Sequence, residues 1–303
     1  MFALLPGFIR LPLAMLLLAL NTVLHVLALF ALTFCKLLLP MRAPRLACSR
    51  ALVAVAESWI AVNNGLFDGF THTRWQVEGL ADLRRDGNYL VLCNHQSWVD
   101  IPVLQKIFNR RIPFLRFFLK QELIWVPLLG AAWWALDFPF MGRYTPKQIA
   151  RHPELAGRDI AATRRACEKF RALPVSIMNF VEGTRFTAAK KASQSSPFVH
   201  LLKPKSGGVA FVLSAMGEAL HAILDVSIAY PAGAPSMRDL LTGKIAEIRV
   251  RVRQRPIPAE FTTGDYQGDR EFRVRFQRWM NGVWQDKDAD LGALLDERRE
   301  PCA

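Results

Sequence analysis

Cysteine is sparse in this chain and has no pattern. Cys35, Cys48, Cys93, Cys167 and Cys302 form no C-x-x-C pair, and no His/Cys cluster has zinc-site spacing. Neither a disulfide framework nor a structural metal is expected to organise the fold, and the odd count suits a reducing compartment. The G-x-S-x-G elbow that marks many serine hydrolases is missing. So are internal repeats and any RNA- or DNA-binding signature. Acidic residues are in short supply, 26 against 39 Lys and Arg, for a net charge of +13. That excess favours a polyanionic partner, either nucleic acid or an anionic membrane surface.

One long stretch tips the choice toward membrane. Residues 11–35 contain no Asp, Glu, Lys or Arg. At about 1.5 Å per residue they are long enough for the roughly 30 Å hydrocarbon core. Asn21 and His25 are the polar interruptions. A secretory signal has a shorter apolar region followed by a small-residue cleavage site, whereas Thr33, Phe34 and Cys35 stand here. Arg10 precedes the run and Lys36, Arg42, Arg45 and Arg50 follow it, so the positive-inside rule puts the bulk of the chain in the cytoplasm. Pro40 and Pro44 are expected to break the helix. Residues 46–67 then read as a second helix carrying Arg50 and Glu57. Whether this pair spans the bilayer or dips into one leaflet stays open.

After residue 71 the pattern changes to alternating strands and helices, which predicts an α/β fold, a mixed sheet layered with helices and preceded by the membrane motif. Strands are expected at residues 89–93, after the Asp86-Gly87-Asn88 turn signal, at 175–181, and at 222–230 ending before Pro231. Ile248, Val250 and Val252 alternate with Arg249, Arg251 and Arg253, the period of a strand with one wet, basic face. Helices are expected over residues 158–173 and after a cap at Asp269, the latter with Phe272, Phe276, Trp279, Val283 and Trp284 as a stripe for core or membrane-interface contact. Residues 190–197, rich in serine, read as a loop.

The first chemical motif, Asn94-His95-Gln96-Ser97-Trp98-Val99-Asp100, directly follows the strand at 89–93. On one straight helix His95 and Asp100 would lie about 140° apart, so they meet only where the chain bends between a strand and a helix. A neutral imidazole can take a proton from an alcohol, and a carboxylate on its other nitrogen fixes the tautomer. No protein nucleophile is then needed. The competing reading is a capping box, Ser97-x-x-Asp100, with a purely structural role.

The second motif, Val181-Glu182-Gly183-Thr184-Arg185-Phe186, follows the strand at 175–181. Gly183 permits a tight turn or close approach of a ligand, Arg185 can grip a phosphate through paired N–H donors, and Glu182 can orient Arg185 or accept from a glycerol hydroxyl. Alone, the motif is equally an ordinary turn with a surface ion pair.

Together the two motifs, N-H-x-x-x-x-D and E-G-T-R, resemble the glycerolipid acyltransferase family of lysophosphatidic acid acyltransferases (PlsC-type). Lys120-Gln121-Glu122-Leu123, Pro127, Gly130 and residues 138–143 look like a further family block, as do Leu202-Lys203-Pro204-Lys205-Ser206-Gly207-Gly208 and Asp225-Val226-Ser227-Ile228-Ala229-Tyr230-Pro231. Residues 279–288 are similar to a YihG-like bacterial branch. Gly142 departs from the polar residue the family commonly places before its arginine. The resemblance implies His95 as general base, Asp100 as its partner, and Glu182, Gly183, Thr184, Arg185 and Arg143 as the cradle of the acceptor's glycerol phosphate. It implies acyl transfer from acyl-CoA or acyl carrier protein to the sn-2 hydroxyl of a lysophospholipid, 1-acyl-glycerol-3-phosphate, giving phosphatidic acid, with no cofactor and no metal.

The expected partners are therefore that acceptor, the donor and a phospholipid membrane, with no nucleic acid; the rival readings are an acyltransferase for a different lysophospholipid acceptor and a non-catalytic basic membrane adaptor. The expected organisation is an anchor over residues 1–70 and a catalytic domain over 71–303, at a bacterial inner membrane and facing the cytoplasm. Trp125, Trp133 and Trp134 are either interface anchors or core. Arg110, Arg111, Arg116, Lys120 and Arg143 are either attractors of anionic groups or a solvated face.

Overall fold

The computed structural model describes residues 6–142, 151–152, 173–266 and 268–296. Arg143 and nearly all of the helix expected over residues 158–173 lie outside them. The chain opens with two long helices, α1 (Gly7–Leu38) and α2 (Arg42–Phe70), both long and apolar enough to cross a membrane. The break falls at Leu39, Pro40 and Met41, and Pro44 sits in the first turn of α2. A first-turn proline removes an N–H that has no helical partner, so it is tolerated there.

The linker is too short for anything but an antiparallel hairpin. Its seam is polar at the two interruptions. Asn21 Nδ2 donates to Asn63 Oδ1 at 2.8 Å and to the Trp59 carbonyl at 3.2 Å, and the His25 ring lies 3.3 Å from Ser58 Oγ. Such bonds hold helices together where apolar burial gives little preference.

The strands are β1 (Arg74–Glu78), β2 (Tyr89–Cys93), β3 (Leu115–Phe117), β4 (Leu119–Lys120), β5 (Phe140–Met141), β6 (Ser176–Phe180), β7 (Ala222–Ala229) and β8 (Glu247–Arg255). Six of them form one sheet in the order β1-β8-β7-β2-β6-β3, with β4 and β5 paired separately. All neighbours in the large sheet run parallel except β7 and β8, so the sheet is mixed as expected.

Every residue of β2 is buried, because layers cover both faces. Leu90 and Leu92 pack toward α6 (Gly207–Met216) and α8 (Arg270–Asp296). Tyr89, Val91 and Cys93 pack toward α3 (Asp100–Phe108) and the end of α2. Asp269 caps α8, its Oδ1 accepting from the N–H groups of Glu271 (2.8 Å) and Phe272 (3.0 Å). Phe272, Phe276, Val283 and Trp284 are core, with Trp279 partly buried against them.

Two sequence expectations are corrected. Residues 190–197 are not simply a loop, for α5 (Ala188–Gln194) occupies most of the stretch. Thr187 Oγ1 caps it by accepting from the Lys190 N–H, and alanines and lysines outweigh the serines as helix formers. The arginine face of β8 is not simply wet. Arg249 is buried and donates to Glu247 and the Leu294 carbonyl, Arg251 pairs with Glu78 and Asp290, and Arg253 pairs with Asp290, because α8 lies over that face.

The hairpin packs along the sheet domain. Val26, Leu29, Leu52, Ala56 and Ile60 share a core cluster with Phe114, Phe138 and α4 (Leu129–Ala135). Polar ties occur at both ends of α1: Arg10 Nη1 donates at 2.7 Å to the carbonyl of Thr242, the last residue of α7 (Met237–Thr242), and Lys36 meets Asp137 at 3.6 Å. On α2, Glu57 pairs with Arg85 and Asp68 with Lys106. The opposite face of α1 exposes Leu16, Leu20, Leu24 and Leu27. Trp125 is 85% and Trp134 53% exposed, while Trp133 packs into the hairpin cluster, so the three tryptophans divide between surface and core.

Candidate active site

β2 and β6 are adjacent and parallel, with Cys93 opposite Phe180. Both motifs therefore leave the sheet at the carboxyl ends of neighbouring strands, the edge where open α/β sheets bind ligands. After β2 the chain bends before α3 begins, and that bend folds Asp100 back onto His95. His95 Nδ1 lies 2.9 Å from Asp100 Oδ2. The same oxygen accepts from the N–H groups of Gln96 (2.7 Å) and Ser97 (2.9 Å), and Asp100 Oδ1 accepts from the Tyr230 hydroxyl at 2.7 Å.

The capping box is only half made: α3 begins at Asp100 with Val99 as its N-cap, and Ser97 Oγ accepts from the Val99 N–H rather than that of Asp100. The return bond, from the Ser97 N–H to the Asp100 carboxylate, is present. That carboxylate closes the turn before α3 and also receives the imidazole. Burial and the neighbouring carboxylate push the Tyr230 phenol well above its ordinary value, so it stays a donor. With Nδ1–H donating to Asp100, Nε2 is the free lone pair. Phe180 stacks on the ring at 3.9 Å between centroids and 17° between planes, so both an edge and a face of the imidazole are fixed.

Backbone N–H groups at the turn after His95 are the nearest candidates for oxyanion donors. The N–H groups at Gln96, Ser97, Val99 and Asp100 are already bonded, to Asp100 Oδ2, Asp100 Oδ2, Ser97 Oγ and the Ser97 carbonyl respectively. Those four are spent on holding the turn.

The second motif arrives from β6. Gly183 has φ +69°, and a Cβ there would stand 3.1 Å from Lys205 Cδ, so both conformation and space favour glycine. Lys190 Nζ donates to Thr184 Oγ1 at 2.7 Å and to the Arg185 carbonyl at 3.1 Å, bracing the loop. The Phe186 N–H donates to the His95 carbonyl at 2.7 Å, which places the two loops side by side. Arg185 is exposed, and its guanidinium lies 4.8 Å over the Trp98 ring.

Glu182 is placed differently from the expectation that it orients Arg185 or meets a glycerol hydroxyl. Its side chain is fully buried, and its two oxygens accept from the N–H groups of His95 and Leu202, each at 3.0 Å. It ties the His95 loop to the loop before α6. Burial pushes its carboxyl up to about 7, against the pull of those two N–H groups.

The sign of the resulting pH dependence follows. A raised value means the folded state holds this proton more tightly than the unfolded chain, so the cost of ionising Glu182 is absent below pH 4.5 and complete above about 7. Between pH 5 and 8, Glu182→Gln is expected to gain stability relative to the parent by up to about 3 kcal/mol. Thermal unfolding in detergent at the two pH values checks this, and parallel pH trends would overturn it.

Three further site residues escaped the sequence reading. Phe180 and Tyr230 act through contacts that no spacing announces. Lys287 left a signal: it follows Val283 and Trp284 by four and three positions on the buried stripe of α8, where lysine is out of place. It is fully buried, pairs with Asp225, and donates to the Val226 carbonyl. Arg116 is also corrected. It is buried on β3 with Nε donating to the Leu136 carbonyl at 2.9 Å, so it is not available to attract headgroups. Among the described residues no three His, Cys, Asp or Glu side chains converge as a metal-ligand set.

Known proteins share this layout. The acyltransferase family model matches residues 74–230. The chain is 24% identical over 260 residues to 1-acyl-sn-glycerol-3-phosphate acyltransferase epsilon of Mus musculus, covering 77% of this chain and 66% of the relative. It is 28% identical over 151 residues to lysocardiolipin acyltransferase 1 of Gallus gallus, covering 43% and 38%. The chain thus spans from about two fifths to just under two thirds of these relatives' lengths. The crystal structure of the 1-acyl-sn-glycerophosphate acyltransferase PlsC from Thermotoga maritima superposes with a TM-score of 0.55 at 16% identity, over 95% of this chain and 98% of that one, which establishes a common fold. The matched span runs from the first residue of β1 to Tyr230, the donor to Asp100, and so encloses both motifs and the strands that present them: the chain belongs to the acyltransferase family.

Proposed function

We propose that this protein transfers an acyl chain from acyl-CoA or acyl carrier protein to the sn-2 hydroxyl of 1-acyl-glycerol-3-phosphate, producing phosphatidic acid at a membrane. The observation that carries the reading is the His95–Asp100 pair standing beside the Arg185 loop at neighbouring strand ends. His95 Nε2 takes the hydroxyl proton as the oxygen attacks the thioester carbonyl. The C–O ester bond forms, the C–S bond breaks, and the proton passes to the leaving thiolate. Asp100 holds the tautomer and stabilises the imidazolium.

Among the described residues the Arg185 guanidinium makes no hydrogen bond or ion pair, so none of its five donors is spent on those residues. They are suited to the acceptor's phosphate. Gly183 and Thr184 shape the loop around that phosphate, and Arg143 contributes from outside the described residues. Glu182 serves as the tether beneath them.

Residues 1–70 form the anchor and 71–303 the catalytic domain. Arg10 and Lys36 are separated by about 39 Å of helix, yet each is tied to the sheet domain. That arrangement favours a hairpin lying along the domain with its leucine face in one leaflet over one that crosses the bilayer. The flanking arginines and Lys36 favour the cytoplasmic face of a bacterial inner membrane.

Membranes bearing the protein, given a radiolabelled acyl donor and 1-acyl-glycerol-3-phosphate, are expected to yield labelled phosphatidic acid. Arg185→Ala is expected to raise the acceptor KM by about tenfold or more, the loss of charge-assisted hydrogen bonds to a phosphate. A second acceptor class is favoured by the likeness to a lysocardiolipin acyltransferase. Competition among purified lysolipids separates the two, since preference for another lysolipid would displace 1-acyl-glycerol-3-phosphate as the substrate. A purely adhesive role for the basic strand fits less well, because Arg249, Arg251 and Arg253 are committed to ion pairs within the domain.

A further inference from the structure

We propose that Trp98 is a positioning residue for the acceptor: its ring holds the Arg185 guanidinium flat over the mouth of the site so that a phosphate meets an already oriented fork of donors. This rests on the reading of Arg185 as the phosphate ligand. Trp98 lies in the first motif and Arg185 in the second, and their contact bridges the two loops on the solvent side. Glu182 bridges the same loops from below.

Trp98 is 56% exposed, although the residues on either side of it, Ser97 and Val99, are buried. An indole left that far out gains little from burial, so its packing alone does not explain it. What it does contact is the Arg185 guanidinium, whose central carbon stands 4.8 Å over the ring. An arginine with no hydrogen bond to the described residues would otherwise sample many rotamers, and each must be given up when phosphate binds. A cation held over the ring face has fewer rotamers left to surrender, which lowers the ordering cost of binding. Tryptophan is the aromatic with the strongest attraction for a cation on its face.

The test compares the full-length protein with Trp98→Ala, Trp98→Phe, Arg185→Ala and the Trp98→Ala/Arg185→Ala double variant. Acyl transfer is measured at saturating donor with 1-acyl-glycerol-3-phosphate varied, and binding of the same lipid is measured without donor. Trp98→Ala is expected to raise the acceptor KM and Kd by about two- to fivefold, with kcat and the donor KM unchanged. Trp98→Phe should recover much of the loss, and Trp98→Ala should add nothing in the Arg185→Ala background. If Arg185→Ala weakens acceptor binding but Trp98→Ala does not, the positioning role fails and the phosphate reading stands. An equal Trp98→Ala effect with and without Arg185 also overturns the proposal, since Trp98 would then touch the lipid itself. If Arg185→Ala leaves acceptor binding unchanged, the phosphate reading fails and this inference with it.

Discussion

His95→Ala is expected to lower acyl transfer by about 10²- to 10⁴-fold while leaving the protein folded and membrane-bound. The separation of activity from stability follows from what each side chain holds. Among the described residues the His95 imidazole makes one hydrogen bond, to Asp100, and one ring-stacking contact, with Phe180. Removing it leaves the turn intact, because Asp100 keeps the N–H groups of Gln96 and Ser97 and the Tyr230 hydroxyl. Asp100→Ala is different, since it releases the donors of His95, Gln96, Ser97 and Tyr230 together and should lose stability as well as activity. Acyl incorporation, thermal unfolding and membrane fractionation of the two variants check the contrast. A His95→Ala protein that keeps a tenth of the parental rate would remove His95 as the base.

Lys287→Met is expected to destabilise the protein by about 3–5 kcal/mol, the cost of leaving one member of a buried ion pair without its partner. Lys287 and Asp225 are both essentially inaccessible, with side-chain exposures of 0% and 1%. Asp225 retains Arg255, but that guanidinium is shared with Asp286 at the surface. Replacing both members, Lys287→Met with Asp225→Leu, should recover most of the loss, because an apolar pair of similar volume avoids the desolvation of two charges. Thermal unfolding in detergent distinguishes the cases. A single Lys287→Met variant within about 1 kcal/mol of the parent would mean that Arg255 alone neutralises Asp225.

The sequence was most legible where one physical rule dominates. An uncharged run of helix length announced α1, and an apolar run after a turn signal gave β2 with its observed bounds, Tyr89–Cys93. The dyad was legible because His95 and Asp100 lie close in the chain and need only one bend to meet. The rest depended on distant partners. The arginines of β8 alternate as a wet face does, and nothing local shows that Asp290, some forty residues on, will cover them. Glu182 sits beside Arg185 in sequence, so an ion pair is the natural local guess. Its turn inward is decided by the N–H groups of His95 and Leu202, which the sheet brings to it. The short strands β3, β4 and β5 are too brief to carry a period at all.

The family pattern ends at residue 230, whereas the cation beneath the site is at 287. A fragment cut to the matched span would keep every motif residue from His95 to Arg185 and still leave Asp225 facing an empty position at the heart of the sheet. Minimal versions of this protein should therefore retain the last helix, which belongs to the folded unit as much as the two motif loops.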